Sequence, residues 1–152
     1  MVMSTNSGYL AALQAVTFPT NLFDAMAIEE WTDASDEIDN SVSKYEFADI
    51  VIDLASAVFP GGNIAIYLIP SVDDSTFGKF SGGGATADEE ENEQYYRGSV
   101  ATGVETAAQT HLVLEGVKLP NGKFKLAVRN MTGVALGSAN TIKWRPHGYS
   151  SQ

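Results

Sequence analysis

Cysteine is absent from the sequence, which removes disulfides, thiol nucleophiles and cysteine-ligated zinc together. Histidine is nearly absent: only His111 and His147 occur, and neither sits in a recognisable nucleophile context. Basic residues are scarce in the first two thirds. Residues 1–96 hold 17 acidic side chains against Lys44 and Lys79, whereas residues 97–152 hold Glu105 and Glu115 against seven bases. The two parts carry about −15 and about +5, within a formal net charge of −10. An acidic total with dispersed bases argues against nucleic acid as the main ligand, because phosphate binding needs a concentrated basic surface. The asymmetry fits two mutually attracting faces of one domain, head-to-tail association, or docking on an oppositely charged partner. Long apolar runs are missing too. The longest, around Ile50–Leu54 and Ile64–Ile69, are strand-sized and far below the ~20 residues a membrane helix needs. The first thirty residues lack the cationic start and apolar stretch of a signal peptide, so a soluble protein without membrane contact is expected.

What is present is period-two alternation, the mark of half-buried strands. In 45–54, Ile50, Ile52 and Leu54 alternate with Asp49, Val51 and Asp53; a Phe59–Gly62 turn follows. In 63–69 both alternating sets are apolar, which predicts a central strand. Further strands are expected over 95–102, 111–119, 123–130 and 140–146. In 123–130, Phe124, Leu126 and Val128 alternate with Lys125, Ala127 and Arg129, the clearest amphipathic pattern in the chain. Pro120-Asn121-Gly122 is a turn in which Asn-Gly tolerates positive φ. Gly82–Gly84 and the acids of Asp88–Glu93 read as a long exposed acidic loop. Leu22, Phe23, Met26, Ala27 and Trp31 fit one face of a short helix capped by Thr20 or Asn21, and equally a strand.

With 152 residues, one domain burying about 70% of its unfolded surface is expected. The expected fold is all-β: an antiparallel β-sandwich, jelly-roll-like, over residues 31–152, with an N-terminal arm over residues 1–30. The arm's apolar residues, Leu10, Leu13, Phe18, Leu22 and Phe23, need something to pack on and are the candidate partner contacts.

Chemistry is hard to find. There is no Gly-x-Ser-x-Gly elbow, and Gly82–Gly84 lacks the lysine of a phosphate loop. Asp33, Asp36, Glu37, Asp39 and Asn40 are oxygen-rich but lack the spacing of an EF-hand loop, and read as a polar turn. Trp31, Tyr67, Tyr95, Tyr96 and Trp144 are potential sugar-stacking rings; Trp144, in register with Ile142, reads as core, and Tyr95 and Tyr96 face opposite ways. No catalytic, cofactor or metal residue is assigned, and no enzyme activity is expected.

The run from Leu119 to Leu136 (LPNGKFKLAVRNMTGVAL), followed by Asn140–His147 (NTIKWRPH), resembles the C-terminal half of small virion structural proteins of tailed phages. Tyr67–Asp74 (YLIPSVDD), Ser35–Ser41 (SDEIDNS) and Tyr45–Ile50 (YEFADI) resemble other strands and turns of the same group, so the resemblance covers roughly residues 31–147. It implies a capsid decoration (cement) protein on the capsid exterior, made in the host cytoplasm. Its partner would be the major capsid protein, with homo-oligomeric assembly, bridging neighbouring subunits through avidity. The alternative is a tail or fibre component whose sandwich binds carbohydrate. The acidic insertion at 82–93 and the extended N-terminus depart from the group's pattern.

Overall fold

A computed structural model describes residues 11–19, 23–55, 58–83, 88–105 and 110–148. Among the described residues ten strands are formed: β1 (Gln14–Ala15), β2 (Ile38–Asp39), β3 (Phe47–Leu54), β4 (Phe59–Pro60), β5 (Asn63–Pro70), β6 (Tyr96–Ala101), β7 (Val104–Glu105), β8 (Thr110–Lys118), β9 (Lys123–Met131) and β10 (Thr141–His147). One helical turn, α1, spans Glu89–Glu93. Two antiparallel four-stranded sheets, ordered β1-β10-β3-β8 and β2-β9-β5-β6, make the all-β sandwich, and β4 pairs with β7 beside them.

Alternation decides which side chains enter the core. β3 sends Ala48, Ile50, Ile52 and Leu54 inward, β5 sends Ile64, Ile66 and Leu68, β9 sends Phe124, Leu126 and Val128, and β10 sends Ile142 and Trp144. Phe124 and Trp144 meet edge to face across the layers, 5.8 Å between centroids. At the rim, Gly98 of β6 lies so close to β8 that a Cβ there would come 3.2 Å from Leu114.

The described residues of the N-terminal segment, 11–19 and 23–30, pack on the sandwich. β1 pairs with β10, Val16 donates to the Ile142 carbonyl at 2.9 Å, and Phe23 and Met26 are core residues. Residues 23–30 form neither the expected helix nor a strand; they turn, with Ala25 and Glu29 in left-handed backbone (φ 54° and 62°). The proposed caps Thr20 and Asn21 lie outside the described residues. Two buried asparagines hold this segment. The Asn130 side-chain amide reaches the carbonyls of Met26, Ala27 and Val134 at 3.2, 3.0 and 2.8 Å. Asn140 donates to the carbonyls of Phe23 and Gly137 and accepts from the Ala55 N–H.

Residues 29–39 then run along the outer edge of β9. Glu29 and Glu30 bond the Asn130 backbone, Thr32 and Ser35 donate N–H groups to Val128 and Leu126, and β2 pairs at Phe124. The Thr32 and Ser35 hydroxyls also accept from the Val128 and Leu126 N–H groups, both at 2.9 Å, standing in for strand carbonyls. The edge is thereby satisfied without a full strand.

β10 is limited differently. Because the Ile142 carbonyl faces β1, alternation turns the nitrogen of Pro146 the same way. Proline has no N–H to give, so pairing on that side ends by Trp144.

Candidate functional site

The two outer faces of the sandwich differ, and that difference defines the site. The outer face of β2-β9-β5-β6 is covered by the chain itself. Trp31, Ala65, Tyr67, Ile69, Tyr95 and Ala127 form a second apolar cluster there, with Phe77 and Phe80 against it. This explains why both faces of β5 are apolar, and why Ala127 and Arg129, expected on an open face, are buried. Trp31 and Tyr67 lie 4.3 Å apart, and the Arg129 guanidinium stands 4.9 Å from the Trp31 ring.

The described part of the acidic stretch, 88–93, joins this cover while Asp88, Glu89, Glu90 and Glu93 stay exposed, as expected. Asp88 caps α1 by accepting from the Glu91 N–H at 3.1 Å. Glu89 and Glu93 both pair with Arg129, and Glu91 with Lys79. Asn92, fully buried, accepts from the Ser81 N–H. Gly83 lies so close to the Trp31–Asp33 backbone that a Cβ would come 2.7 Å from the Trp31 carbonyl, and its N–H donates to Asp33 at 2.8 Å. The Tyr67 hydroxyl donates to Glu93 at 3.1 Å, and burial, reinforced by the Glu93 charge, raises its pKa well above the ordinary tyrosine value. Burial likewise raises Tyr95, with Glu91 adding to it. The charge asymmetry is thus partly spent inside the domain: Arg129 pairs with Glu89 and Glu93, and Lys123 with Glu37 at 2.7 Å.

Among the described residues no segment covers the outer face of β1-β10-β3-β8. Along β3 it presents Asp49, Val51 and Asp53, flanked by His111 and Val113 on β8 and by Thr141, Lys143, Arg145 and His147 on β10. Both histidines pair with aspartates across the sheet: His111 Nδ1 lies 2.5 Å from Asp53, and His147 Nε2 lies 2.9 Å from Asp49. His147 ends β10, half-buried and stacked on Phe47. A bulge sets two residues of β8, Glu115 and Gly116, opposite Asp49, whose carboxylate accepts the Gly116 N–H at 3.0 Å. Gly116 takes φ 65°, which its missing Cβ allows. Lys143 and Arg145 have no carboxylate within 4.0 Å among the described residues, and Val113 is 47% exposed.

Of the five expected contact residues, Leu13 is 46% exposed, and alternation from Ala15, opposite Lys143, places it on this open face. Phe23 is corrected: it is 2% exposed and belongs to the protein's own core. Phe18 is half-buried against that core, 6.4 Å from Phe23. Leu10 and Leu22 lie outside the described residues. Among the rings considered for sugar stacking, Trp31, Tyr67, Tyr95 and Trp144 are buried, and Tyr96 is 45% exposed.

The oxygen-rich stretch at 33–40 serves the fold. Asp39 accepts from Ser41, which holds its carboxyl below the usual range, and buried Asn40 bonds the Tyr45 backbone and the Pro120 carbonyl. Among the described residues no three metal-ligating side chains converge. Sequence reasoning missed the cross-strand aspartate–histidine pairs and the buried Arg129. Strand register would have revealed the first, since Asp53 stands directly opposite His111. No family model matches the chain, and no curated protein matches its sequence.

Proposed function

We propose that this chain is a non-enzymatic structural protein of a tailed-phage virion: a capsid decoration protein, probing neighbouring capsid subunits with the open face of its sandwich. The observation that carries this reading is the inequality of the two faces. One is sealed by the protein's own aromatic and acidic cover. The other holds Lys143 and Arg145, without acid partners among the described residues, between the exposed apolar side chains Leu13 toward one edge and Val113 at the other. A rigid sheet face with apolar contacts and free cations suits a partner surface that is acidic and flat. The strand-and-turn resemblance supplies the virion context, with the major capsid protein as partner, a jelly-roll-like path, homo-oligomeric assembly and a place on the capsid exterior. Repeated weak contacts then add through avidity. The adhesion alternative retains one exposed ring, Tyr96, too little to favour it.

The test uses purified heads of the parent virion lacking this protein, with binding read by co-sedimentation and immunogold labelling. Wild-type protein should label heads uniformly. The double variant Leu13→Asp/Val113→Asp, folded by circular dichroism, should fail to bind, and Lys143→Glu/Arg145→Glu should bind only weakly. Label confined to tails, or full decoration by both variants, would refute the reading.

A further inference from the structure

We propose that Asn121 is a self-modifying site, converted without an enzyme to aspartate and isoaspartate through a cyclic imide formed with Gly122. The turn between β8 and β9 isolates this one peptide. On one side Asn40 holds the Pro120 carbonyl at 2.9 Å; on the other Asp74 accepts the Lys123 N–H at 3.0 Å. Between these anchors Asn121 is exposed, and among the described residues neither its side-chain amide nor the Gly122 N–H makes a hydrogen bond. Neither residue takes the positive φ expected of an Asn-Gly turn. Glycine fits at 122 for a different reason: the Asp74 carboxylate packs against it, and a Cβ would lie 2.6 Å from Oδ1, so a larger residue would need that side chain to swing aside. The same missing side chain leaves the Gly122 nitrogen open to the Asn121 amide.

The chemistry balances with water alone. The Gly122 nitrogen bonds to Cγ of Asn121, the Cγ–Nδ2 bond breaks, and ammonia leaves carrying the proton the Gly122 nitrogen gave up. Water then adds to either imide carbonyl. Opening one way gives aspartate; opening the other gives isoaspartate, whose main chain runs through the former side chain and is one methylene longer. The other described asparagines are protected. Asn40, Asn130 and Asn140 are buried with bonded amides, Asn92 is fully buried with its Oδ1 bonded, Asn63 lies in β5, and each is followed by a residue with a Cβ. Either product sets a new carboxylate near Asp74, and Lys123, the cation of this turn, is already paired with Glu37. The longer isoaspartate chain must also fit between two fixed anchors, so the modified protein melts below the parent.

Trypsin cuts after Lys118 and Lys123, which isolates Asn121 in a five-residue peptide, Leu119–Lys123. Folded protein held at mildly alkaline pH should convert that peptide into two species. Each shows the mass gain of an NH2-to-OH exchange, and they separate chromatographically with isoaspartate in excess. A turn tip with little opening cost should react within about tenfold of the urea-unfolded chain. The variant Asn121→Ser should lose the mass gain and keep the parent circular dichroism. Conversion slower than that, or equal conversion at Asn63, would overturn the proposal.

Discussion

Replacing Asn130 tests how the N-terminal segment is held. In Asn130→Ala the carbonyls lose the amide but are not orphaned. Met26 still receives the Leu136 N–H at 2.9 Å, Ala27 the Glu30 N–H at 3.3 Å, and Val134 the Thr132 hydroxyl at 3.1 Å. The group left bare is the Thr132 N–H, whose acceptor is Asn130 Oδ1 at 3.1 Å. An orphaned buried N–H costs about 1–3 kcal/mol, and each bond lost to an otherwise satisfied acceptor about 0.5–1.5. The expected loss is therefore about 5 kcal/mol, a large share of the ~5–15 kcal/mol that holds a domain together. Asn130→Asp separates polarity from shape. Its carboxylate still accepts from Thr132, but when ionised it faces three carbonyl oxygens with no proton to offer. The folded state then favours the protonated acid and raises its pKa above the unfolded value of about 3.9. The folded state binds more protons than the unfolded one, so stability falls as pH rises from the unfolded pKa toward the raised folded pKa. Urea unfolding followed by the fluorescence of buried Trp31 and Trp144, each variant compared with wild type at the same pH, measures both effects. An aspartate variant no less stable at pH 7 than at pH 4, relative to wild type, would refute the reasoning, as would an alanine variant within ~0.5 kcal/mol of wild type.

Two further outcomes follow from the cover and the turns. Arg129→Met should cost no more than about 1 kcal/mol, because Glu89 and Glu93 are half exposed and regain water when released. Arg129→Ala should cost about 2 kcal/mol more in urea unfolding, through lost stacking on Trp31; equal losses would show that charge, not packing, holds the cover. Asp73, bonded by the Thr76 N–H, the Ser75 hydroxyl and the Ser75 N–H, has its pKa lowered from 3.8 to about 2. Its contribution is present above pH 3.8 and is lost as pH falls toward 2, so Asp73→Asn should flatten the stability slope in that window. An unchanged slope would count against the turn's role.

The sandwich was legible because its strands obey one rule. Ile50, Ile52 and Leu54, the doubly apolar 63–69 and the core position of Trp144 all follow from alternation, and all lie where it puts them. Residues 23–30 obey no period. Their shape depends on left-handed Ala25 and Glu29, neither a residue type that announces such a turn, and on Asn130 and Asn140, distant in sequence. The acids of 88–93 are largely exposed, as their mutual repulsion implies; what no local pattern announces is Arg129, which the register of β9 brings beneath Glu89 and Glu93. Phe23 was misjudged for the same reason: an apolar side chain in an aperiodic segment has no visible face, so core and contact look alike until the partner strand is known. Leu13 and the free cations of β10 became a candidate site only when the opposite face proved to be sealed.

The asparagine clasps also set an order of events. Asn130 and Asn140 grip residues more than a hundred positions earlier, at Met26 and Phe23. During synthesis this segment therefore has neither clasp to hold it until β9 and β10 have emerged, and it docks after strands made later than itself. Contacts this distant in sequence slow folding toward the milliseconds-to-seconds range of β-sandwiches. Until they close, the Phe23 and Met26 side chains and the edge of β9 stay open to solvent, so a nascent chain is most vulnerable to association just before its final strand is released.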